Sequence, residues 1–325
     1  MALLVLTCDD DEETEPPVEI EYPESDALTE ERLMETVEAL ADPELAGRAP
    51  GTPGDEAARA IIEERFESLG LEPLGETFSQ DFTASDGSET ANVIAMVPGT
   101  DEDVGEEVIV VGAHHDHLPE DADGIYPGAN DDASGVAVVL GLAEYFAENP
   151  PRRTIVFATF GAEELDLDGS KYFVENPEPG FGTEEIVFML NLDMVGTYAG
   201  KGILNALNTY PDTPGRTALE SLLPEEEADC DVEPGVQCRV GTNGLLVALG
   251  EEGADSDHLP FCEAGVPLTF FLTDKDECYH QTCDTADRVD GAGMELIAVV
   301  AAALLDELAN GDLDLAGAQG VGCSE

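Results

Sequence analysis

The stretch from Val108 to Tyr145 constrains the chain most. Val108–Gly112 is a short apolar, β-branched run, the pattern of a buried strand. It leads straight into His114, His115, Asp116 and His117. A loop follows, and then Gly128-Ala-Asn-Asp-Asp-Ala-Ser-Gly135, which opens an apolar helix predicted from Asp132 to Tyr145. The small residues Ala133, Ser134 and Gly135 let the loop backbone approach its neighbours closely. A strand feeding a helix through a polar loop is a unit of an open α/β sheet, and such sheets build sites at strand C-terminal ends. One cluster here is rich in imidazole and the other in carboxylate, and neutral imidazole and carboxylate are what zinc takes.

The rest of the chain repeats that alternation. Helices are predicted over Asp26–Ala41, Gly54–Leu69, Gly169–Val174, Ser256–Ala264 and Gly291–Ala309, from apolar residues at helical spacing and Gly stops. Strands are predicted over Asn92–Val97, Glu107–Gly112, Thr154–Phe160, Ile186–Asn191 and Pro267–Leu272. Leu45–Gly54 (LAGRAPGTPG) is a Gly/Pro loop. Lys201–Gly253 shows no clear period and is expected to carry a lid or specificity loops. The fold class is therefore α/β: a three-layer αβα sandwich around a mixed, mostly parallel central sheet. Residues 26–312 are expected to form this domain, residues 1–25 a signal remnant and acidic tether, and residues 313–325 a C-terminal tail.

Charge narrows the partners. Asp plus Glu number 73 against 12 Lys plus Arg, a formal net charge of −61. Nucleic acid is disfavoured as a partner, because phosphate binding wants the opposite sign. The apolar content of 42% supports a packed core rather than a disordered chain. A solvated anionic surface is expected, and with three Lys and no Trp it suggests adaptation to salty surroundings, where counterions screen self-repulsion.

Of the seven Cys, Cys8 closes Leu3-Leu-Val-Leu-Thr-Cys8 and meets acidic residues at once. This resembles the end of a bacterial lipoprotein signal, although the run is short and lacks a basic n-region. A lipid anchor at Cys8 and an extracytoplasmic location, as an envelope lipoprotein or secreted protein, are therefore expected. The other six Cys suit an oxidising compartment. Cys230 with Cys238, and Cys278 with Cys283, are close enough to pair locally, which leaves Cys262 and Cys323. The ten-residue apolar stretch Leu296–Leu305 is too short to span a membrane and reads as a buried helix. A monomer is expected.

All five His lie at 114, 115 and 117, or at 258 and 280. Asp116, Asp131, Glu163, Glu164 and Asp193 stand at or just beyond the ends of predicted strands. Two metals about 3.5–4 Å apart need one bridging carboxylate and further ligands on each side, and this inventory supplies them.

In order, the motifs are His114-x-Asp116, Asn130-Asp131-Asp132 with Ser134-Gly135, Glu163-Glu164, Asn191-Leu-Asp193 and Tyr279-His280. Together they resemble the M28 peptidases, the co-catalytic zinc aminopeptidases of the bacterial leucyl aminopeptidase type, over about residues 44–310. LAGRAPGTPG and Ser256-Asp257-His258-x-Pro-Phe261 are also similar to stretches common in that family. The resemblance implies two zinc ions per chain. Asp131 would bridge them, His114 and Asp193 would complete one site, and Glu164 and His280 the other. Glu163 would be the general base, Asp116 would orient His114, and Tyr279 would donate to the developing oxyanion. A cis Asp131–Asp132 peptide is implied too. His115, His117 and His258 are not needed as ligands and read as structural or cleft-lining.

The activity implied is removal of the N-terminal residue from peptides with a free N-terminus. Three rivals share features with the chain. Glutaminyl cyclases have the same fold but work with one zinc. The M20 and M42 metallopeptidases share a His-x-Asp and a Glu-Glu pair. A catalytically inactive binding relative would be expected to have lost ligands, and none is lost here.

Overall fold

The structure is a computed structural model that describes residues 22–178, 181–198, 202–223, 236–240, 245–250, 255–273 and 275–320. The expectations for Cys8, for Cys230 and Cys323, and for most of the acidic tether lie outside the described residues.

Apolar alternation in the strands determines the layering. In β4 (Val108–His114), Val108 and Val110 face one side of the sheet, and Ile109, Val111 and Ala113 face the other. Both faces are apolar, so both must be covered, which is the requirement that makes a three-layer fold. On the first face lie α1 (Glu30–Leu40), α2 (Pro53–Leu69), α3 (Ser134–Glu148), α5 (Pro214–Leu222) and α7 (Gly291–Asn310). On the second lie α4 (Asp168–Glu175) and α6 (His258–Glu263), whose Phe173 and Phe261 pack with Phe160. Helix α7 is apolar nearly all round because it lies among α1, α3 and α5, with Ile297, Leu304 and Leu308 fully buried.

The centre of the sheet is parallel. It runs β5 (Thr154–Phe160), β4, β6 (Ile186–Leu192), β10 (Leu268–Leu272). Parallel neighbours end on the same edge, so the loops leaving β4, β5 and β6 emerge side by side. The flanks are mixed. β3 (Glu89–Val97) pairs antiparallel with β5, with β2 (Ser79–Thr83) and with β1 (Glu72–Pro73). On the other side β7 (Ile203–Leu207) pairs antiparallel with β10 and parallel with β9 (Leu246–Leu249), which pairs antiparallel with β8 (Gln237–Val240).

The region 201–253 thus holds three strands and α5 among its described residues, and it extends the sheet rather than only decorating it. Its strands are four or five residues long with half-buried positions, too short to present a clear period. Beyond α7 the chain stays on the body. Leu315 is fully buried, and Gln319 donates to the carbonyls of Glu184 and Ile186 at 3.0 and 2.8 Å. Among the described residues no helix is long and apolar enough to cross a membrane.

Candidate metal centre

The residues picked out by sequence converge at the C-terminal edge of β4, β5 and β6. His114 is the last residue of β4, and Asp131 lies in the irregular turn Ala129–Ala133 that precedes α3. Glu163 and Glu164 form a single turn after β5, Asp193 follows β6, and Tyr279 and His280 come from the loop before α7. His114, Asp131, Glu163, Asp193, Tyr279 and His280 line one cavity of about 30 Å³.

The two oxygens of Asp131 face opposite ways. Oδ1 lies 3.2 Å from His114 Nε2, which is itself 3.7 Å from Asp193 Oδ1. Oδ2 lies 3.2 Å from His280 Nε2, which is 3.3 Å from Glu164 Oε2. His117 is not needed as a ligand on sequence grounds, yet its Nδ1 sits 2.8 Å from Glu164 Oε1 and 3.9 Å from Asp131 Oδ2. The centre therefore holds a third imidazole on the Glu164 side.

Metal binding fits these residues. Asp131 Oδ2, Glu164 Oε1 and Asp193 Oδ1 are buried acceptors that meet imidazole nitrogens within 4 Å yet receive no well-directed hydrogen bond. Buried polar groups are nearly always satisfied, so a group of orphaned carboxylate oxygens beside imidazoles asks for a cation. His114, Glu163 and Asp193 can place one ligand atom each around a single ion, and so can His117, Asp131 and Glu164.

Charge in the site is lopsided. Burial and the acids around it, Asp257, Asp193 and Asp116 among them, push Glu163 up to about 10. Burial also works to lower the pKa of His114, but Glu163, Asp131 and Asp193 more than offset it and raise it well above the ordinary value. Burial would raise Asp131, yet His114 and His280 hold it below the usual carboxylate range. The shifts of Glu163 and His114 report excess negative charge in a desolvated place, and that of Asp131 reports the imidazoles on either side of it.

Hydrogen bonds fix the loops. Asp132 accepts from the amides of Gly135 at 2.9 Å, Met194 at 3.0 Å and His114 at 3.3 Å, joining α3 to the ends of β6 and β4. The Asp131–Asp132 peptide is cis, as the resemblance implies. Gly135 is required by close approach: a Cβ there would stand 2.5 Å from the Leu192 carbonyl oxygen. Ala162, Asp166 and Leu167, around the Glu163–Glu164 turn, all have positive φ without being Gly, a costly backbone of the kind found at functional sites.

Asp116 departs from expectation. The contact to His114 Nδ1 is made by the Asp116 carbonyl oxygen at 3.1 Å, while its carboxylate stands 3.8 Å away. That carboxylate instead accepts from the amides of Glu163 and Glu164 at 3.0 and 3.4 Å. It ties the imidazole loop to the Glu-Glu turn.

The Cys278–Cys283 bridge forms as expected and closes the loop that carries Tyr279 and His280. Cys238 and Cys262 are disulfide-bonded too. Tyr279 stacks on His280 with centroids 3.9 Å apart, and Lys275 Nζ lies 3.8 Å over the Tyr279 ring.

Sequence reasoning missed Asp284, Asp257 and Lys275. Asp284 accepts from the amides of Asn130 and Asp131. Asp257 is fully buried, receives no well-directed hydrogen bond on either oxygen although the Ser170 hydroxyl is near, and is raised to about 7 by burial. Its place in Ser256-Asp257-His258 was the available signal.

Two larger cavities lie among the described residues. One of about 310 Å³ adjoins Glu163 and is lined by Asp166, Leu167, Lys171, Asp255, Leu259 and Glu263, among others. The other, about 300 Å³, lies among α1, α2 and α3, lacks His altogether and is remote from this chemistry.

Comparisons with known proteins agree with the geometry. A family model described as peptidase family M28 matches residues 92–305. Aminopeptidase YwaD of Bacillus subtilis (strain 168) is 33% identical over 173 residues, 51% of this chain and 32% of that protein. Leupeptin-inactivating enzyme 1 of Streptomyces exfoliatus is 28% identical over 270 residues, 76% of this chain and 54% of that protein. The chain thus spans about a third to about half the length of these relatives. Among solved structures, BSAP, a zinc aminopeptidase from Bacillus subtilis, is similar with a TM-score of 0.68 at 16% identity, covering 91% of this chain and 98% of that one. Glutaminyl cyclase from Porphyromonas gingivalis is similar with a TM-score of 0.64 at 20% identity, covering 87% and 100%. Both likenesses are of fold.

Proposed function

Because the chain belongs to peptidase family M28, we propose that it is a zinc-dependent aminopeptidase working with two ions per chain. The observation that carries this reading is Asp131, whose two oxygens each meet a separate acid–imidazole pair at 3.2 Å. His114 and Asp193 would hold one ion, Glu164 and His280 the other, with His117 beside the second. Zinc bound there supplies positive charge that offsets the carboxylate field, polarises the scissile carbonyl and lowers the pKa of water.

The chain's own residues do the rest. With zinc's charge opposing the burial and the acids that hold Glu163 protonated, its carboxylate would take a proton from the attacking water and pass it to the leaving amine. Tyr279, stacked on His280 beneath Lys275, donates its hydroxyl proton in a hydrogen bond to the oxyanion. The free α-amine of a peptide is a cation, and the carboxylates of the site suit it. The cavity next to Glu163 would take a substrate side chain. Asp116 holds the Glu163–Glu164 turn against the imidazole loop.

An oxidising, extracytoplasmic setting, with a lipid anchor at Cys8, belongs to the same reading. The Cys278–Cys283 bridge and the bonded state of Cys238 and Cys262 support the oxidising part.

The test is hydrolysis of a panel of aminoacyl anilides, with and without chelator, beside Glu163→Gln. Activity should vanish on chelation and return with zinc, and the variant should fall at least roughly a hundredfold, within the reach of general-base catalysis. Undiminished turnover by Glu163→Gln would refute its role. Cyclisation of an N-terminal Gln peptide without anilide hydrolysis would favour the cyclase rival.

A further inference from the structure

Arg48 lies outside residues 92–305, the part that matches the family model. It sits in the Gly/Pro loop before α2, and its side chain is 0% exposed. Among the described residues no carboxylate salt-bridges it. Its guanidinium instead donates to four backbone carbonyls: Nε to His115 at 2.8 Å, Nη1 to Leu40 at 2.7 Å and Pro127 at 2.5 Å, and Nη2 to Gly128 at 3.0 Å.

Those acceptors are not scattered. The His115 carbonyl lies between His114 and Asp116. The Pro127 and Gly128 carbonyls lead into the turn that carries Asp131. One rigid planar group therefore spans the two loops whose side chains meet at 3.2 Å across His114 and Asp131. The same segment braces the imidazole loop a second time. Asp55, at the start of α2, lies 3.5 Å from His115 Nε2 and accepts from Arg59 and Thr90, each at 3.1 Å.

Charge gives a second reason for an arginine. Burial pulls its pKa below the ordinary value, while the fields of Asp116, Asp284, Asp131 and Asp132 oppose that pull. Guanidinium stays protonated in proteins, so a permanent cation is held behind the acid cluster. Lysine would keep the charge but lose the fixed fork, which is what sets a distance between two loops.

We propose that Arg48 is a positioning residue of the metal centre: its guanidinium holds the loop of His114 and the loop of Asp131 in register, so that the site exists before an ion arrives. This rests on the reading that those side chains bind zinc. Arg48 touches neither substrate nor ligand atoms.

The experiment measures zinc affinity of the metal-free protein by competition with a chromophoric chelator. It compares wild type, Arg48→Lys and Leu304→Ala. The last is a control that truncates the core on α7, far from the loops, and lowers stability only. Arg48→Lys should bind zinc roughly 10–100-fold more weakly, the range seen when groups supporting metal ligands are lost. Leu304→Ala should melt lower yet bind as wild type does. Arg48→Lys binding within twofold of wild type would overturn the proposal, as would an equal loss in Leu304→Ala.

Should Arg48→Lys fail to fold, the wild type decides. Exchange of the Arg48 Nε–H, followed by nuclear magnetic resonance, should be strongly slowed in metal-free protein and little changed by zinc. Fast exchange without metal, slowed only on zinc addition, would show that the fork does not precede the ion and would overturn the proposal. If wild type itself binds no zinc, it is the metal-centre reading that fails.

Discussion

The carboxylate of Asp284 accepts the backbone N–H of Asp131 at 3.0 Å, across 153 residues of chain. Its other oxygen accepts the N–H of Asn130 at 2.9 Å. The residue that faces both acid–imidazole pairs is thereby fixed by a side chain only four residues beyond His280. Replacing Asp284 with Asn removes one of the two acceptors and leaves a buried amide facing an amide. We expect zinc affinity to fall roughly 10–100-fold with the fold intact. Chelator competition and circular dichroism on Asp284→Asn check this.

Substrate charge should matter. The cavity beside Glu163 carries Asp166, Asp255 and Glu263, and its one lysine, Lys171, is already engaged by Asp166 at 2.7 Å. A carboxylate side chain on the substrate meets like charge there. Asp and Glu anilides should be the poorest of a panel by kcat/KM, and adding salt should narrow the gap by screening.

Acid should destabilise the protein in part through His258. This ring is buried against Phe270, with centroids 4.6 Å apart, and burial lowers its pKa from 6.5 to about 4. The folded state therefore resists a proton that the unfolded chain accepts. The contribution is complete above pH 6.5 and is lost as pH falls toward 4. At about 1.4 kcal/mol per pKa unit, the loss is at most roughly 3.5 kcal/mol. Urea unfolding of metal-free protein at pH 7 and pH 4.5 should show a smaller acid loss in His258→Phe than in wild type. Equal losses would remove His258 from the account.

Salt should stabilise. A net charge of −61 on 325 residues repels itself, and counterions screen that repulsion. The melting temperature should rise between low and molar salt. A fall would oppose the expectation of a salty habitat.

Much of this molecule was legible in its residues. Val108–Gly112 and Thr154–Phe160 announced buried strands because both faces of the central sheet are covered, and Thr154–Phe160 has the bounds expected of it. The polar residues just past these strands could be picked because acids and imidazoles have no other reason to gather at strand ends. The strands added to the sheet beyond β10 were harder to read. Ile203–Leu207 and Gln237–Val240 are short and half-buried, so their pattern follows their neighbours more than their own sequence. The supporting groups were hidden for a different reason. Arg48 and Asp284 act on backbone carbonyls and amides, which no side-chain spacing reveals. His117 was read as structural or cleft-lining, because only the fold brings its imidazole to Glu164 beside that of His280.

The most direct measurement is zinc content per chain, by elemental analysis of protein loaded with zinc and dialysed, for wild type and for Asp131→Ala. Two zinc ions in wild type, with both lost or weakened together in Asp131→Ala, are predicted, because one carboxylate serves both. One ion or none in wild type, or a variant that keeps its full complement, would contradict the account.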